Sequence, residues 1–500
     1  MLEGLLGGLL TVLEPQHFIW LLLAVLLGFI GGALPGISGT MLVIILLPIT
    51  FGMDTIPAFL LLTGIYVASI FTGMLTSILF RTPGSPESVV TVLDGYPMAQ
   101  KGQAGEALGI AIFSSAVGGI VGAIALIFLT PILVTFALSF SAAEYFALTV
   151  LGLSVVASLS SGKLIFGLLG VLLGLFLATV GMDPVTGTLR FTFDSLNLLQ
   201  GFTLIPVLIG LFAISEILRK AREDSNVKFT FTKVKTKLFN MPMIRRVRPT
   251  LVRSSLLGIF LGILPGVGAT TAAMLSYSEA VRWSKNPQEF GTGIPEGIAA
   301  PECANNCSAT GALIPLLAFG IPGSATTAVI LGAFILHGLQ PGPMLIVNEP
   351  TLVYSIFIGL LLINFLMLAF AKPFIAIYSQ VLKVPYTILG PIILILCIIG
   401  TYSVRNSVFD IWIMLVFGVI GYYLEKNKFP LPPIILGVIL GPLAESNFRR
   451  AVQMANGDYT VFFTRPISAT LLALAVIAIC APLIKDYLVS RKAKKEQGNA

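Results

Sequence analysis

Charge is what this chain of 500 residues most lacks. Asp, Glu, Lys and Arg make up 11% of it, hydrophobic residues 56%, and the mean hydropathy is +0.96. A soluble domain carries roughly 25% charged residues, so about half of the charge needed to cover a water-exposed surface is missing. A large soluble enzyme is thereby excluded. Cysteine and histidine are also scarce. Cys303, Cys307, Cys397 and Cys480 form no Cys-x-x-Cys pair, and His17 and His337 are far apart in the chain. Neither a zinc site nor a disulfide framework is expected, and the thiols read as small buried groups. The alternation of an outer-membrane strand is missing too. Leu21–Ile30 and Ile392–Ile399 are apolar all round, which points to spanning α-helices and away from a barrel. Met1–Leu13 holds one acid and no basic n-region, so no cleavable signal peptide is expected.

What is abundant is glycine, proline and locally clustered basic charge. Gly 50 and Pro 30 are high counts for helices in water, but membrane helices tolerate both where neighbours satisfy the freed backbone groups. The net charge of +7 does not point to nucleic acid. The basic residues gather in a stretch from Arg219 to Arg253 and in a tail with Arg491, Lys492, Lys494 and Lys495. Basic segments beside spans stay cytoplasmic.

A helix needs about 20 apolar residues to cross the hydrocarbon layer. Candidate spans lie near residues 17–34, 40–51, 56–80, 107–138, 143–159, 163–181 and 202–218 in the first half. In the second they lie near 251–264, 269–282, 308–320, 324–338, 351–380, 386–403, 408–424 and 431–443, with a last one at 467–488. Several are too short to cross alone and read as half-helices or re-entrant hairpins. The expected fold is an all-α polytopic membrane protein with about 10–14 transmembrane or re-entrant helices by this length rule. It divides into a first repeat (1–218), a basic cytoplasmic linker (219–253), a second repeat (254–445), and an extra C-terminal helix with a basic cytoplasmic tail (446–500).

The halves are related. Ala33-Leu34-Pro35-Gly36-Ile37-Ser38-Gly39-Thr40 matches Ile263-Leu264-Pro265-Gly266-Val267-Gly268-Ala269-Thr270, with Pro35 and Pro265 lying 230 residues apart. Thr72-Gly73 through Arg81-Thr82-Pro83-Gly84-Ser85 matches Thr310-Gly311 through Gly320-Ile321-Pro322-Gly323-Ser324, with Pro83 and Pro322 lying 239 apart. Two motifs in the same order in both halves make a strong repeat. The linker is inside, so inverted repeats, common in transporters, place the first half's start outside. The expected topology has a periplasmic N-terminus and a cytoplasmic C-terminus, with the helix at 467–488 restoring the tail to the cytoplasm.

Pro-Gly inside an apolar segment breaks the helical ladder, and broken backbone at bilayer depth survives only where protein buries it or water lines it. The exposed N-terminus of the next half-helix favours an anion such as a carboxylate, while freed carbonyls can hold a cation. Gly36, Ser38, Gly39 and Thr40 in the first turn, and Gly266, Gly268 and Thr270 in the second, are candidate substrate contacts; packing kinks are the plainer alternative. The loops add Pro83, Gly84 and Ser85, and Pro322, Gly323, Ser324 and Thr326. Arg81 beside the first loop could grip a carboxylate bidentately or snorkel to head groups. Glu302-Cys303-Ala304-Asn305-Asn306-Cys307-Ser308 is the most polar patch of the second half's motif region. Its amides could cap the following helix, bind a substrate carboxylate (Asn305) or hold a cation (Asn306, Ser308). Asp94, in Asp94-Gly95-Tyr96-Pro97, reads as a loop turn. Gly36-Ile37-Ser38-Gly39 also fits an intramembrane serine protease pattern, but such an enzyme needs a neighbouring histidine base, and the repeat copy has Gly268 in place of Ser38. No enzyme activity is expected.

These residues resemble the large membrane subunit of the tripartite tricarboxylate transporter family. The resemblance rests on the Leu-Pro-Gly turns, on Asp94-Gly95-Tyr96-Pro97, and above all on Ala300-Pro301-Glu302, Asn305-Asn306 and Ile321-Pro322-Gly323-Ser324-Ala325-Thr326-Thr327. It runs from about Gly28 to Leu443. It implies a bacterial inner-membrane protein working with a smaller membrane subunit and a periplasmic solute-binding protein. It further implies uptake of citrate-like tricarboxylates or other organic carboxylates by symport with an ion, often Na⁺ or else H⁺, with no bound cofactor. The absence of a Gly-x-x-x-x-Gly-Lys-[Ser/Thr] loop agrees. Arg81 and Pro86 around the first Pro-Gly-Ser depart from the family pattern, which leaves the substrate open. A channel or a membrane scaffold is the alternative from another class.

The inverted arrangement makes a direct prediction. A reporter fused to Met1 reads periplasmic and one fused after Ala500 reads cytoplasmic; a cytoplasmic signal from the N-terminal fusion would refute the inversion.

Overall fold

The computed structural model describes residues 1–34, 37–159, 164–183, 186–222, 241–381 and 386–497, with the side chains of 159, 379–381, 386–387 and 485–497 outside the description. Pro35, Gly36 and most of the basic linker, residues 223–240, therefore lie outside the described residues. The first half runs α1 (Leu2–Leu13), α2 (Pro15–Ala33), α3 (Gly39–Leu46), α4 (Thr55–Phe80), a 3₁₀ turn (Pro86–Ser88), α5 (Val92–Met98), α6 (Ala104–Ala137), α7 (Ala142–Leu159) and α8 (Leu164–Ala178). A two-residue antiparallel ribbon, β1 (Gly181–Met182) with β2 (Leu189–Arg190), precedes α9 (Leu204–Leu208), a π-helical stretch (Ile209–Ile214) and α10 (Ser215–Arg222). The second half runs α11 (Met241–Ile263), α12 (Gly268–Trp283), α13 (Pro295–Gly311), α14 (Leu313–Phe319), α15 (Ala325–Leu336), α16 (Pro343–Asn348), α17 (Pro350–Val381), α18 (Tyr386–Arg405), α19 (Val408–Lys426) and α20 (Pro432–Met454). Two more, α21 (Val461–Thr464) and α22 (Pro466–Gln497), close the chain.

Seven helical segments among the described residues are long and apolar enough to cross a bilayer, and five shorter apolar helices accompany them. The fold is thus an all-α polytopic membrane protein. Its centre is α4 and α13, which pack on each other and are buried along nearly their whole length. The periphery is opposite in character: only 11% of the α22 window is covered by protein, so its apolar faces meet lipid.

The repeat is carried into three dimensions. At the two spacings found in the motifs, α2 corresponds to α11, α3 to α12, α4 to α13 and α14 together, and α6 to α16 and α17. The packing details correspond as well. A methyl on Gly28 would press on Ile65 O and Ala68 Cβ, and one on Gly258 would press on Ala304 O and Cys307 Cβ. Gly32 faces Ser69 and Thr72, and Gly262 faces Ser308 and Gly311. Small residues let the helix backbones touch, which is how membrane helices gain contact without a hydrophobic drive.

Three expectations need correction. Asp94 is fully buried within α5 and does not lie in a loop turn. Asn305 and Asn306 sit inside α13 and cap nothing; the helix begins at Pro295, where a proline's missing N–H costs nothing. The apolar span near 308–320 is thus the end of α13 followed by the separate short helix α14, and hydropathy passes over the polar bulk of α13 because its partners are protein and not lipid. Finally, α1 lies outside every expected span. It packs on α17, where Gly4 and Gly8 face Tyr354. The basic stretch also holds helical turns: Arg245, Arg246, Arg248 and Arg253 lie on α11.

Close packing of α6 on α13 is testable. A methyl on Gly118 would fall 2.1 Å from Cys303 O, a backbone atom that cannot swing away. Gly118→Leu should cost about 3 kcal/mol, the upper part of the overpacking range, and abolish the monodisperse peak on size-exclusion chromatography in detergent. Gly7→Leu, which meets nothing within 4 Å, should leave that peak intact.

Candidate functional site

The broken helix of the first half restarts on a polar residue. Ser38 is the N-cap of α3, its Oγ accepting from Met41 N at 3.1 Å. The second-half equivalent, Gly268, has no side chain to cap with, and it stands at φ 70° with Gly266 at φ 76°. Both are in the left-handed region that glycine enters without strain. Gly266 N donates to Gly323 O at 2.9 Å, tying the second half's turn to its own Pro-Gly-Ser loop.

The two hairpin tips are built alike. Arg81 ends α4 at φ 57° and Gly320 ends α14 at φ 74°, the same left-handed cap at equivalent positions. A non-glycine residue there carries strain. Beyond them, Ser324 caps α15 reciprocally: its Oγ accepts from Thr327 N at 3.1 Å, and its N–H donates to Thr327 Oγ1 at 2.8 Å. In the first half Ser85 N donates to Ser88 Oγ at 3.3 Å. Gly84 lies against Gly73 and Gly323 against Ala312, again equivalent positions.

The tips of one half meet the breaks of the other. Thr40 and Thr326 hydroxyls lie 2.6 Å apart, and Tyr66 OH lies 3.3 Å from Ser324 Oγ. Across the repeat, α12 packs on the Pro86–Ser88 turn, and Asn305 Nδ2 donates to Glu87 O at 3.2 Å. Asn305 occupies the position equivalent to Tyr66, and Glu87 that equivalent to Thr326. The element pairs thus correspond, α3 with α15 and α12 with the Pro86–Ser88 turn, each time between unlike halves.

Around this junction the polar side chains are buried. Asn305, Asn306, Ser308 and Glu302 are 0% exposed. Glu302 is held by the other half: its Oε1 accepts from Thr91 Oγ1 at 2.5 Å and its Oε2 from Ser115 Oγ at 2.9 Å. Asn306 Oδ1, Ser308 Oγ, Ser85 Oγ and Glu87 Oε2 have no hydrogen-bond partner among the described residues. Buried oxygens of this kind suit a cation, whereas the N–H groups and hydroxyls at the starts of α3 and α15 suit an anion. Gly39 is buried against Ser69 Oγ, and Thr270 stands half-buried in the first turn of α12. Pro322 and Gly323 are buried, whereas Pro83 is exposed. Arg81 is also exposed, its guanidinium 5.9 Å from the Tyr96 ring centre. Gly36 lies outside the described residues. Ser38 is bonded to neither histidine: His17 Nδ1 lies 2.7 Å from Thr11 O and His337 Nε2 3.4 Å from Thr50 Oγ1.

Sequence reasoning missed Tyr66, Glu87, Thr91 and Ser115. The first two hold, in the repeat, the places of Asn305 and Thr326, so aligning the halves residue by residue would have found them. It also misjudged Asp94, whose Oδ1 accepts from the N–H groups of Gly291, Gly293 and Ile294 at 2.9, 2.8 and 3.1 Å. Asp94 Oδ2 accepts from Tyr277 OH at 2.9 Å. A first-half carboxylate thus organises the loop between α12 and α13.

Comparison with known proteins gives a family and two relatives. Residues 18–436 match the family described as Tripartite tricarboxylate transporter TctA family. An uncharacterized 52.8 kDa protein in the TAR-I ttuC' 3' region of Agrobacterium vitis is 39% identical over 491 residues, covering 98% of each chain. An uncharacterized protein in the TAR-II ttuC' 3' region of the same organism is 42% identical over 240 residues, which are 48% of this chain and 98% of that one. No solved structure matches.

The Asp94 clamp sets a stability order. Asp94→Ala leaves three backbone donors unpaired, each at about 1–3 kcal/mol, whereas Tyr277→Phe removes one hydrogen bond to a charged group at about 1.5–3 kcal/mol. Thermal unfolding in detergent should therefore show a larger loss for Asp94→Ala. Equal losses would mean that the backbone contacts contribute nothing.

Proposed function

The chain belongs to the tripartite tricarboxylate transporter TctA family, and from that membership and the buried polar junction we propose that it is the large membrane subunit of a secondary transporter importing citrate-like tricarboxylates or related organic carboxylates. The observation that carries the reading is the meeting of two helix starts: α3, capped by Ser38, and α15, capped by Ser324, joined at Thr40 and Thr326. Both present N–H groups and hydroxyls, and their dipoles favour negative charge. The substrate's carboxylates bind there, with Gly39, Ser85, Gly266, Gly268, Thr270, Pro322 and Gly323 allowing close approach and Asn305 adding an amide donor. Glu87 and Glu302 would repel that substrate. Their oxygens, with Asn306 Oδ1 and Ser308 Oγ, instead form the place of a coupling cation, Na⁺ or a proton on a carboxylate.

In this mechanism the two halves are inverted repeats, 1–218 and 254–445, which rock around the junction to give alternating access. The crosswise contacts are what such motion would exchange. The protein lies in the bacterial inner membrane with its N-terminus periplasmic and its C-terminus cytoplasmic. A periplasmic binding protein delivers the substrate, and a small membrane subunit completes the complex.

The test is uptake of a panel of labelled carboxylates by the complete system in proteoliposomes, with and without a Na⁺ gradient or a proton gradient. One carboxylate should accumulate only with a gradient and should show counterflow, which an open channel does not. Ser324→Leu should raise the apparent KM at least about 10-fold, equivalent to 1.4 kcal/mol of binding. Unchanged uptake in both Ser324→Leu and Ser85→Leu would refute the site.

A further inference from the structure

A cavity of about 750 Å³ lies between the halves, away from the hydroxyl junction itself. Its walls are the end of α8, the start of α9, the outer part of α15 and the distal part of α20. Leu331 and Ile335 of α15 form one wall, and Gln200, Gln340, Asn447 and Arg450 are among its polar lining. The innermost of the two α15 residues, Leu331, is five residues beyond Thr326, about 7.5 Å along the helix axis. On α15 the lining thus stops about a turn and a half short of the capped start of that helix.

Arg450 is the sole charged residue among those lining it. The other arginines around it are neutralised: Arg190 pairs with Glu445 at 2.8 Å, and Arg449 pairs with Glu445 at 2.6 Å and Asp183 at 2.9 Å. Arg405, whose guanidinium donates to Gln200, is held by Asp410 through two hydrogen bonds of 3.0 Å. No ion pair to Arg450 exists among the described residues, and its side chain is exposed. One uncompensated cation at the wall of a low-dielectric cavity focuses its field outward and attracts anions.

The side of the membrane follows from helix length. From Leu204 to Arg222 the chain is continuously helical, about 28 Å at 1.5 Å per residue. Arg219, Lys220 and Arg222 at its far end belong on the cytoplasmic side. Gln200 and the cavity end beside it then face the periplasm. We infer that this cavity is the outer vestibule through which a carboxylate reaches the start of α15, and that Arg450 is the residue that draws it in. The inference rests on the carboxylate-import reading above, but its electrostatic part does not.

The experiment has two arms. In a Cys480→Ser background, Gln340→Cys is labelled on spheroplasts with membrane-impermeant methanethiosulfonates, one bearing a sulfonate and one a trimethylammonium group. The anionic reagent should react faster, and Arg450→Gln should lower the anionic-to-cationic rate ratio about 3- to 10-fold, while Arg450→Lys preserves it. In the uptake arm, Arg450→Gln should raise the apparent KM about 3- to 10-fold and flatten its dependence on ionic strength. The maximal rate should stay within about 2-fold, because the charge acts on encounter and not on the bound state. No labelling from the outside, or an unchanged ratio, overturns the vestibule. A lowered ratio with an unchanged KM overturns the access role of Arg450. A lowered ratio in a system that imports no carboxylate leaves the anion-attracting cavity standing and refutes the import reading instead.

Discussion

Everything central in this protein follows from one constraint: a helix broken inside a bilayer must satisfy its freed backbone groups within the protein. The chain meets it with polar caps and with a backbone bond between the second half's turn and loop. Ser38 caps α3, Ser324 caps α15, and Gly266 N bonds to Gly323 O. None of these partners comes from lipid, so the breaks must be enclosed by other helices. That enclosure is why α4 and α13 occupy the centre and why glycines line their contacts.

The same enclosure makes the polar content of α13 tolerable. A carboxylate at Glu302 facing lipid would be expelled, and its burial is supported by two hydroxyls contributed by the opposite half. Asp94 works in the reverse direction, gripping second-half backbone from the first half. The halves are thus joined by hydrogen bonds in both directions and not by apolar packing alone. Such contacts are directional, so they fix the relative register of the halves more sharply than Leu and Ile could. The residues left without partners, Asn306 Oδ1 and Ser308 Oγ among them, sit in this same region.

Much of the fold could be read in advance. Low charge and all-round apolar runs gave membrane helices, and two duplicated motifs gave the repeat, because composition and motif spacing are local properties of the chain. The errors have a common origin. Asn305 and Asn306 resembled a helix start because hydropathy assumes lipid outside a helix, and α13 has protein there. Asp94 resembled a turn because Asp-Gly-Tyr-Pro usually is one, yet its carboxylate is needed by a loop about 200 residues away. Arg81 attracted attention as a free cation, whereas its backbone is occupied in a left-handed cap and its guanidinium in a contact with Tyr96.

By itself the sequence determined that the chain spans a membrane as helices, that it is internally duplicated, and which residues break the helices. Those properties depend on hydrophobicity and on local backbone chemistry. Only the tertiary structure decided which breaks face each other. Thr40 meets Thr326 across 286 residues and Tyr66 meets Ser324 across 258, and no local preference encodes such pairings. The backbone at these breaks is satisfied within each half, by Ser38, Ser324 and Gly323, whereas the hydroxyls of Thr40, Tyr66, Ser324 and Thr326 find one another only once the two halves are packed together.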